Sequence, residues 1–123
     1  MENKTKKTLV IGASPKPERY SNKAIRMLRE YDHDVVALAK RTGQVDGVSI
    51  QTGFPEENDI HTVTMYLGAN RQPEYYNPII HLKPQRVIFN PGAENDELKE
   101  KLELAGIETV ENCTLVMLRT GQF

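Results

Sequence analysis

The chain has 123 residues, with 16 lysines and arginines against 17 aspartates and glutamates. This length is typical of a single domain, and a formal net charge of −1 argues against broad binding of nucleic acid or membrane surfaces. The one cysteine, Cys113, excludes an internal disulfide and a cysteine-rich zinc site. No signal-like segment and no apolar run near the ~18 residues of a membrane span is present. We therefore expect a soluble, single-domain, cytoplasmic protein.

Short apolar runs alternate with helical patterns along the chain. Strands are predicted at 7–11, 34–38, 61–67, 86–89 and 107–110, with a minor strand at 48–50. This alternation is typical of βαβ units with right-handed crossovers. It predicts an α/β fold: a three-layer, Rossmann-like parallel sheet of about five strands, with helices on both faces and strand order 3-2-1-4-5.

Helix signals fill the gaps between these strands. Ser21 or Asn22 is the expected cap of the first helix, which should end near Asp32 in a left-handed conformation. The apolar stripe of that helix is predicted to comprise Ala24, Met27, Leu28 and Tyr31. Later helices are predicted at 74–82 and at 114–118. Another is predicted between an amino cap at Asn95 and a carboxyl cap at Gly106.

Ligands of such sheets bind at the carboxyl ends of the strands, so the loops at 12–22, 39–47, 66–73 and 90–95 are the candidate binding segments. The first of these loops occupies the place of a phosphate-binding turn, where the free N–H groups of a helix start attract anions. The dinucleotide fingerprint G-x-G-x-x-G is nevertheless absent, because Ser14 and Pro17 stand where its second and third glycines belong. An equally simple interpretation is a plain strand-to-helix turn.

The end of the second strand carries Lys40 and Arg41 in place of the acid that usually holds the ribose of NAD. Two cations suit a phosphate on the ribose, either the 2′-phosphate of NADP or the 3′-phosphate of coenzyme A. A basic pair on a solvated surface is the alternative.

Three stretches carry a resemblance to a known family: TLVIGASPKPERYSNKAI, TVTMYLGANRQPEYY, and RVIFNPGAEN through ENCTLVMLRTGQF. Together they run from Thr8 to Phe123. The sequence resembles the small stand-alone CoA-binding proteins, whose domain is similar to the nucleotide-binding half of the succinyl-CoA synthetase alpha subunit. The resemblance implies a Rossmann-like domain that holds CoA or an acyl-CoA along the carboxyl edge of its sheet.

The resemblance also implies which residues form the site. The pyrophosphate region would be held by Gly12, Ala13, Ser14, Arg19, Ser21 and Asn22. The ribose phosphate would lie near Lys40 and Arg41, and the adenine or pantetheine path would be lined by Tyr66 and Leu67. The far side would be closed by Asn90, Pro91, Gly92 and Ala93.

Nothing in the sequence indicates catalysis by the chain alone. Synthetases of the resembled type pass phosphate through a histidine beyond the CoA-binding domain. The three histidines, His33, His61 and His81, have no metal-binding spacing. Cys113 precedes an apolar run and is expected to be buried and inert; the alternative is a mixed disulfide between Cys113 and the CoA thiol.

The leading hypothesis is therefore non-catalytic binding of CoA or an acyl-CoA, which is a small molecule that contains a nucleotide. We expect no bound metal, and neither nucleic acid nor a membrane as a partner. A homodimer is a plausible assembly. The alternatives are an NADP-linked reductase or other nucleotide-dependent enzyme, and an interaction module without a ligand.

Overall fold

A computed structural model describes residues 5–123, and one seven-stranded sheet lies at its centre. The strands in chain order are β1 (Thr8–Ile11), β2 (Val35–Leu38), β3 (Gly43–Val45), β4 (Val48–Gln51), β5 (Thr62–Met65), β6 (Arg86–Phe89) and β7 (Glu108–Glu111). Across the sheet their order is β3-β4-β2-β1-β5-β6-β7. The pairing is parallel except in the β3–β4 hairpin.

Four α-helices cover the sheet: α1 (Tyr20–Glu30), α2 (Tyr76–Leu82), α3 (Asp96–Leu104) and α4 (Thr114–Arg119). Alternate side chains of β1 point to opposite faces, as the strand period requires. Leu9 belongs to the core with Ile79 of α2 and Leu98 of α3. Val10 belongs to the opposite core with Ile25 of α1 and Met117 of α4. The predicted α/β class with helices on both faces is confirmed.

The predicted strand order 3-2-1-4-5 is wrong at one position. The segment predicted as the third strand is β5, and it pairs with β1 on the side away from β2. The outer side of β2 is occupied by β4, which was predicted only as a minor strand, through the pairs Ala37↔Ile50 and Leu38↔Gln51. Because β3 and β4 form a tight hairpin, they supply this edge without another helix.

The start of α1 also differs from the prediction. The capping residue is Arg19, which makes no side-chain bond to the helix. Asn22 lies inside the first turn instead, and its amide donates to the Ser14 carbonyl at 2.9 Å. Tyr31 is 45% exposed and therefore lies outside the buried stripe, which includes Ile25. The helix end is as predicted, since Asp32 adopts a left-handed φ of 68°.

The remaining helices follow the predicted pattern with small shifts. Pro73–Tyr75 forms a 3-10 turn, so α2 begins only at Tyr76. Asn95 caps α3, because its side-chain oxygen accepts from the Leu98 N–H at 3.1 Å. Gly106 has the left-handed φ of 81° expected of a carboxyl cap. Across residues 5–123, the structure contains no helix with the length and apolar character to cross a membrane.

At the amino edge of the sheet, aromatic and basic side chains pack around Phe123. The guanidinium of the buried Arg86 lies 4.5 Å from the centroid of the Phe123 ring, and the His33 ring lies 4.9 Å from it. Nδ1 of His33 accepts the backbone N–H of Lys6 at 2.9 Å. Burial, followed by the charges of Lys6 and Arg86, lowers the pKa of His33. The neutral imidazole is thus part of the folded state.

This arrangement predicts a loss of stability in weak acid. Because the pKa of His33 is lower in the folded than in the unfolded chain, the unfolded chain takes up the proton first as the pH falls below about 6.5. The melting temperature should therefore fall between pH 7.5 and pH 5.5, and it should fall less in His33→Gln. Calorimetry of both proteins at the two pH values checks this, and equal falls would contradict it.

Candidate functional site

The strand order reverses between β1 and β5, because the chain runs outward from β1 to β2 and β4 before it returns to β5 on the other side of β1. In open α/β sheets, a crevice forms at such a point, beyond the carboxyl ends of the strands. Here the crevice is bounded by the loop that follows β1, which begins at Gly12, and by the loop that follows β5, which begins at Tyr66.

Gly12 lets these two loops touch. Its φ of +93° is a conformation that side chains with a Cβ rarely adopt. A Cβ at this position would lie 3.1 Å from Cδ2 of Leu67 and 3.2 Å from the backbone carbonyl carbon of Tyr66. The N–H groups of Gly12 and Ala13 both donate to the Leu38 carbonyl, at 3.0 and 3.1 Å, which fixes the loop to the end of β2. The close approach therefore depends on the absence of a side chain.

A cavity of about 570 Å³, which we call the basic groove, opens on the β2 side of this contact. Five of the side chains that line it are cationic, namely Lys16, Arg19, Lys40, Arg41 and Arg71. One acid, Glu74, lines it as well. The remaining lining residues are Gly12, Ala13, Ser14, Pro15, Ala39, Thr42, Tyr66, Leu67 and Tyr75. The excess of positive charge suits an anionic ligand with more than one phosphate.

One of these cations is already paired. Nζ of Lys40 lies 2.6 Å from Oε2 and 2.7 Å from Oε1 of Glu74, and 5.9 Å from the centroid of the Tyr75 ring. The hydrogen bond to Glu74 raises the pKa of Lys40 above its ordinary value. Both side chains are more than half exposed, so water screens the pair and a ligand phosphate can compete for Lys40. No ion pair within residues 5–123 engages Arg19 or Arg41.

A second cavity of about 450 Å³, which we call the thiol-side cavity, opens toward β6 and β7. It is lined by Gly12, Ser14, Arg19, Tyr20, Ser21, Tyr66, Asn90, Pro91, Cys113 and Leu115. Gly12, Ser14, Arg19 and Tyr66 line both cavities. The two cavities are therefore adjacent, and they follow the carboxyl edge of the sheet from the end of β2 to the end of β7.

Asn90 faces this edge, but its side chain is fully engaged by the protein. Its amide nitrogen donates to Oγ1 of Thr64 at 2.7 Å and to the Met65 carbonyl at 2.9 Å. Its oxygen accepts the backbone N–H of Thr114 at 2.9 Å. The side chain is 2% exposed. Asn90 therefore holds β5, β6 and the start of α4 together beneath the cavity.

Gln72 makes a matching connection on the other face. Its buried amide nitrogen donates to the carbonyls of Leu67 and Ala93, each at 2.8 Å. Its oxygen accepts from the amide of Asn95 at 2.9 Å. The loops that follow β5 and β6 are thereby joined to the cap of α3.

Most of the residues singled out in the sequence meet around the two cavities. Eleven line one or both of them, namely Gly12, Ala13, Ser14, Arg19, Ser21, Lys40, Arg41, Tyr66, Leu67, Asn90 and Pro91. Three do not line either cavity. Asn22 is buried against the Ser14 carbonyl, Ala93 packs into the core, and Gly92 is exposed, with its N–H bound to Glu94 at 2.9 Å.

The expectation of a buried Cys113 is wrong. The residue is a partly exposed free cysteine at the capping position of α4, and it lines the thiol-side cavity. The prediction extended the burial of the apolar run to the residue that precedes it. In the structure the buried positions begin one residue later, at Thr114.

Tyr66 lies between the two cavities and carries an unusual hydroxyl group. The hydroxyl oxygen is buried beside the hydroxyls of Thr114 and Thr64, at a distance too long or an angle too poor for a standard hydrogen bond. Burial is the main cause that raises the pKa of Tyr66, and the charge of an ionised Cys113 raises it further. Tyr66 is thus neutral.

Several lining residues were not singled out from the sequence. Lys16 and Arg71 belong to loops that the pattern had marked, so a count of cations in those loops would have found them. Glu74, Tyr20 and Leu115 carry no such signal, because a helix start or an apolar run accounts for each of them equally well. Within the described residues, no group of three or more histidine, cysteine, aspartate or glutamate side chains is placed to hold a metal ion.

Comparison with known proteins decides the family. The family model described as a CoA binding domain matches residues 6–119, nearly the whole described chain. The chain belongs to this family of CoA-binding domains. None of the curated proteins is significantly similar to it.

Several solved structures are similar to this CoA-binding domain over nearly the whole chain. It is similar to an uncharacterized protein of known crystal structure, with 44% identity, a TM-score of 0.95, and coverage of 98% of this chain and 99% of that one. A hypothetical protein from Pyrococcus horikoshii OT3 is 27% identical with a TM-score of 0.85, over 96% of this chain and 84% of that one. A Thermus thermophilus protein, cell-free ID.343, shares the fold at 20% identity, with a TM-score of 0.84 over 97% and 91% of the two chains.

The close approach of the backbone at Gly12 to Tyr66 and Leu67 can be tested with a matched control. Gly12 and Gly92 have the same φ of +93°, but a Cβ at Gly92 would meet nothing within 4 Å. Both alanine variants carry the backbone strain, and only Gly12→Ala adds the collision with the Tyr66 backbone. We expect Gly12→Ala to lower the free energy of unfolding by about 1–3 kcal/mol more than Gly92→Ala does. Denaturant unfolding measures the difference, and equal losses would contradict the close approach.

Proposed function

We propose that the protein binds coenzyme A or an acyl-CoA without performing a reaction on it by itself. The observation that carries this proposal is the position of a basic groove next to a second, largely uncharged cavity along one edge of the sheet. Coenzyme A has the same division, since three phosphate groups lie at its nucleotide end and an uncharged pantetheine arm with a thiol lies at the other.

In this arrangement the adenosine 3′-phosphate lies near Lys40 and Arg41 at the end of β2. The pyrophosphate lies at the loop after β1, where Arg19 and Ser14 belong to both cavities. The phosphate takes the place of the Glu74 carboxylate on Lys40, because a phosphate offers more charge and more acceptor oxygens than a carboxylate. Pantetheine then extends past Tyr66 toward Pro91.

The absence of catalysis by the chain alone is proposed from the composition of the second cavity. Among the described residues, those that line it include no carboxylate and no histidine, the side chains that most often move protons at neutral pH. Its polar side chains are hydroxyls, an amide held by the protein, a thiol and the guanidinium of Arg19.

An NADP-linked reductase is the competing function, because a basic pair also suits a 2′-phosphate. Thermal unfolding with CoA, dephospho-CoA, NADP and NAD in parallel separates the two. A ligand at one hundred times its dissociation constant adds about 2.7 kcal/mol, which raises the melting temperature by roughly 5–15 °C for a chain of this size. We expect a large shift with CoA and a smaller one with dephospho-CoA. A shift with NADP alone would favour the reductase, and no shift with any of the four would refute nucleotide binding.

The phosphate contacts are tested by charge reversal. Arg41→Glu is expected to weaken CoA binding by about 1–3 kcal/mol, because it removes a charge-assisted bond and places an acid beside the phosphate. Lys101→Glu is the control, since it makes the same change in net charge on the exposed surface of α3, away from both cavities. Isothermal titration with CoA compares the variants, and equal affinities would remove Arg41 from the site.

A further inference from the structure

We propose that the thiol-side cavity selects acyl-CoA molecules whose acyl group is apolar and uncharged, and that Tyr20 is a specificity-determining residue at the mouth of this cavity. The inference rests on the proposed function, since it places the acyl group at the end of a pantetheine arm bound along the two cavities. It adds the class of acyl group, which CoA binding by itself leaves open.

The walls of the thiol-side cavity offer one charged side chain. Among the described residues that line it, Arg19 is the only arginine or lysine, and no acid or histidine is present. Arg19 also lines the basic groove, where the proposed arrangement gives it to the pyrophosphate. A carboxylate on the acyl group would therefore leave water without a cation to pair with it, and such burial is costly. The cavity thus disfavours acyl groups of dicarboxylic acids.

Two polar residues in the walls have no free hydrogen-bonding group for the acyl chain. The side-chain amide of Asn90 makes its three hydrogen bonds within the protein. The hydroxyl oxygen of Tyr66 is buried beside the hydroxyls of Thr64 and Thr114, so it is not the part of Tyr66 that a ligand can touch. A hydroxyl or amide on the acyl group would find no partner on these two residues, whereas a hydrocarbon chain needs none.

The mouth of the cavity lies between the starts of α1 and α4, two helices that pack against each other. Leu115 of α4 and Pro91 are apolar lining residues on one side. Tyr20, the first residue of α1, lines the cavity and is 67% exposed. It belongs to neither hydrophobic core, and its ring lies 5.1 Å from Nζ of Lys23. An aromatic ring in this place can cover an apolar acyl chain and lose exposed surface as it does so.

The experiment compares CoA, acetyl-CoA, butyryl-CoA and succinyl-CoA by isothermal titration. Butyryl-CoA has two more methylene groups than acetyl-CoA, and each buried methylene group adds about 4-fold in affinity. We therefore expect butyryl-CoA to bind about 10-fold more tightly than acetyl-CoA. Succinyl-CoA has the same number of acyl carbons as butyryl-CoA, with a carboxylate in place of the methyl group. We expect it to bind about 10-fold more weakly than butyryl-CoA, because the carboxylate lacks a partner.

Two lysine variants connect this selectivity to the mouth of the cavity. Tyr20→Lys removes the aromatic cover and supplies a cation, so the ratio of the butyryl-CoA to the succinyl-CoA affinity should fall from about 10 to about 1. The exposure of Tyr20 lets the fold accept this change. Tyr31→Lys is the matched control, since Tyr31 is also exposed and lies at the other end of α1, about 16 Å along the helix axis. Its ratio should equal that of the unaltered protein.

The outcomes separate this inference from the proposed function. A protein that binds CoA but binds butyryl-CoA no more tightly than acetyl-CoA or succinyl-CoA would overturn the inference and leave CoA binding intact. A ratio in Tyr20→Lys that equals the ratio in Tyr31→Lys would overturn the role of Tyr20. A protein that binds none of the four ligands would refute the binding function as well.

Discussion

Two buried amides, Asn90 and Gln72, hold the carboxyl edge of the sheet together, and both cavities depend on them. Where parallel strands end, peptide groups lose their ladder partners, and a buried group left unpaired costs about 1–3 kcal/mol. Asn90 satisfies the Met65 carbonyl and the Thr114 N–H, while Gln72 satisfies the carbonyls of Leu67 and Ala93. The loops after β5 and β6 and the start of α4 are thereby fixed beneath the two cavities.

The physical character of the edge changes along its length. The β2 end carries the cations around the basic groove, and the β7 end carries Pro91, Cys113 and Leu115. The contact between Gly12 and the Tyr66–Leu67 segment lies between them, so one elongated molecule can touch both ends. The pair of Lys40 and Glu74 closes the basic end with a weak, exposed contact that a stronger anion can replace. A ligand with a phosphorylated end and an uncharged arm matches this division.

Residues of the candidate site were predictable where a residue type has few other reasons to occur at its position in the sequence. Gly12 after the first strand, and Lys40 with Arg41 after the second, marked the groove because the carboxyl ends of parallel strands share one edge. Asn90 was also found, but its role was not, since an amide can bind a ligand or a backbone group equally well. Gln72 carried no signal, because its three partners are the carbonyls of Leu67 and Ala93 and the amide of Asn95, which come together only in the fold.

The sequence by itself determined the α/β class, the helices and five principal strands, and the family to which the chain belongs. Periodicity and glycine positions act over a few residues, so they are readable without the fold. Tertiary structure alone decided the place of β5 beside β1, because strand order depends on which edge of β2 the β3–β4 hairpin covers. It also decided that Cys113 faces a cavity, since exposure is a property of what packs around a residue rather than of the residues beside it in the chain.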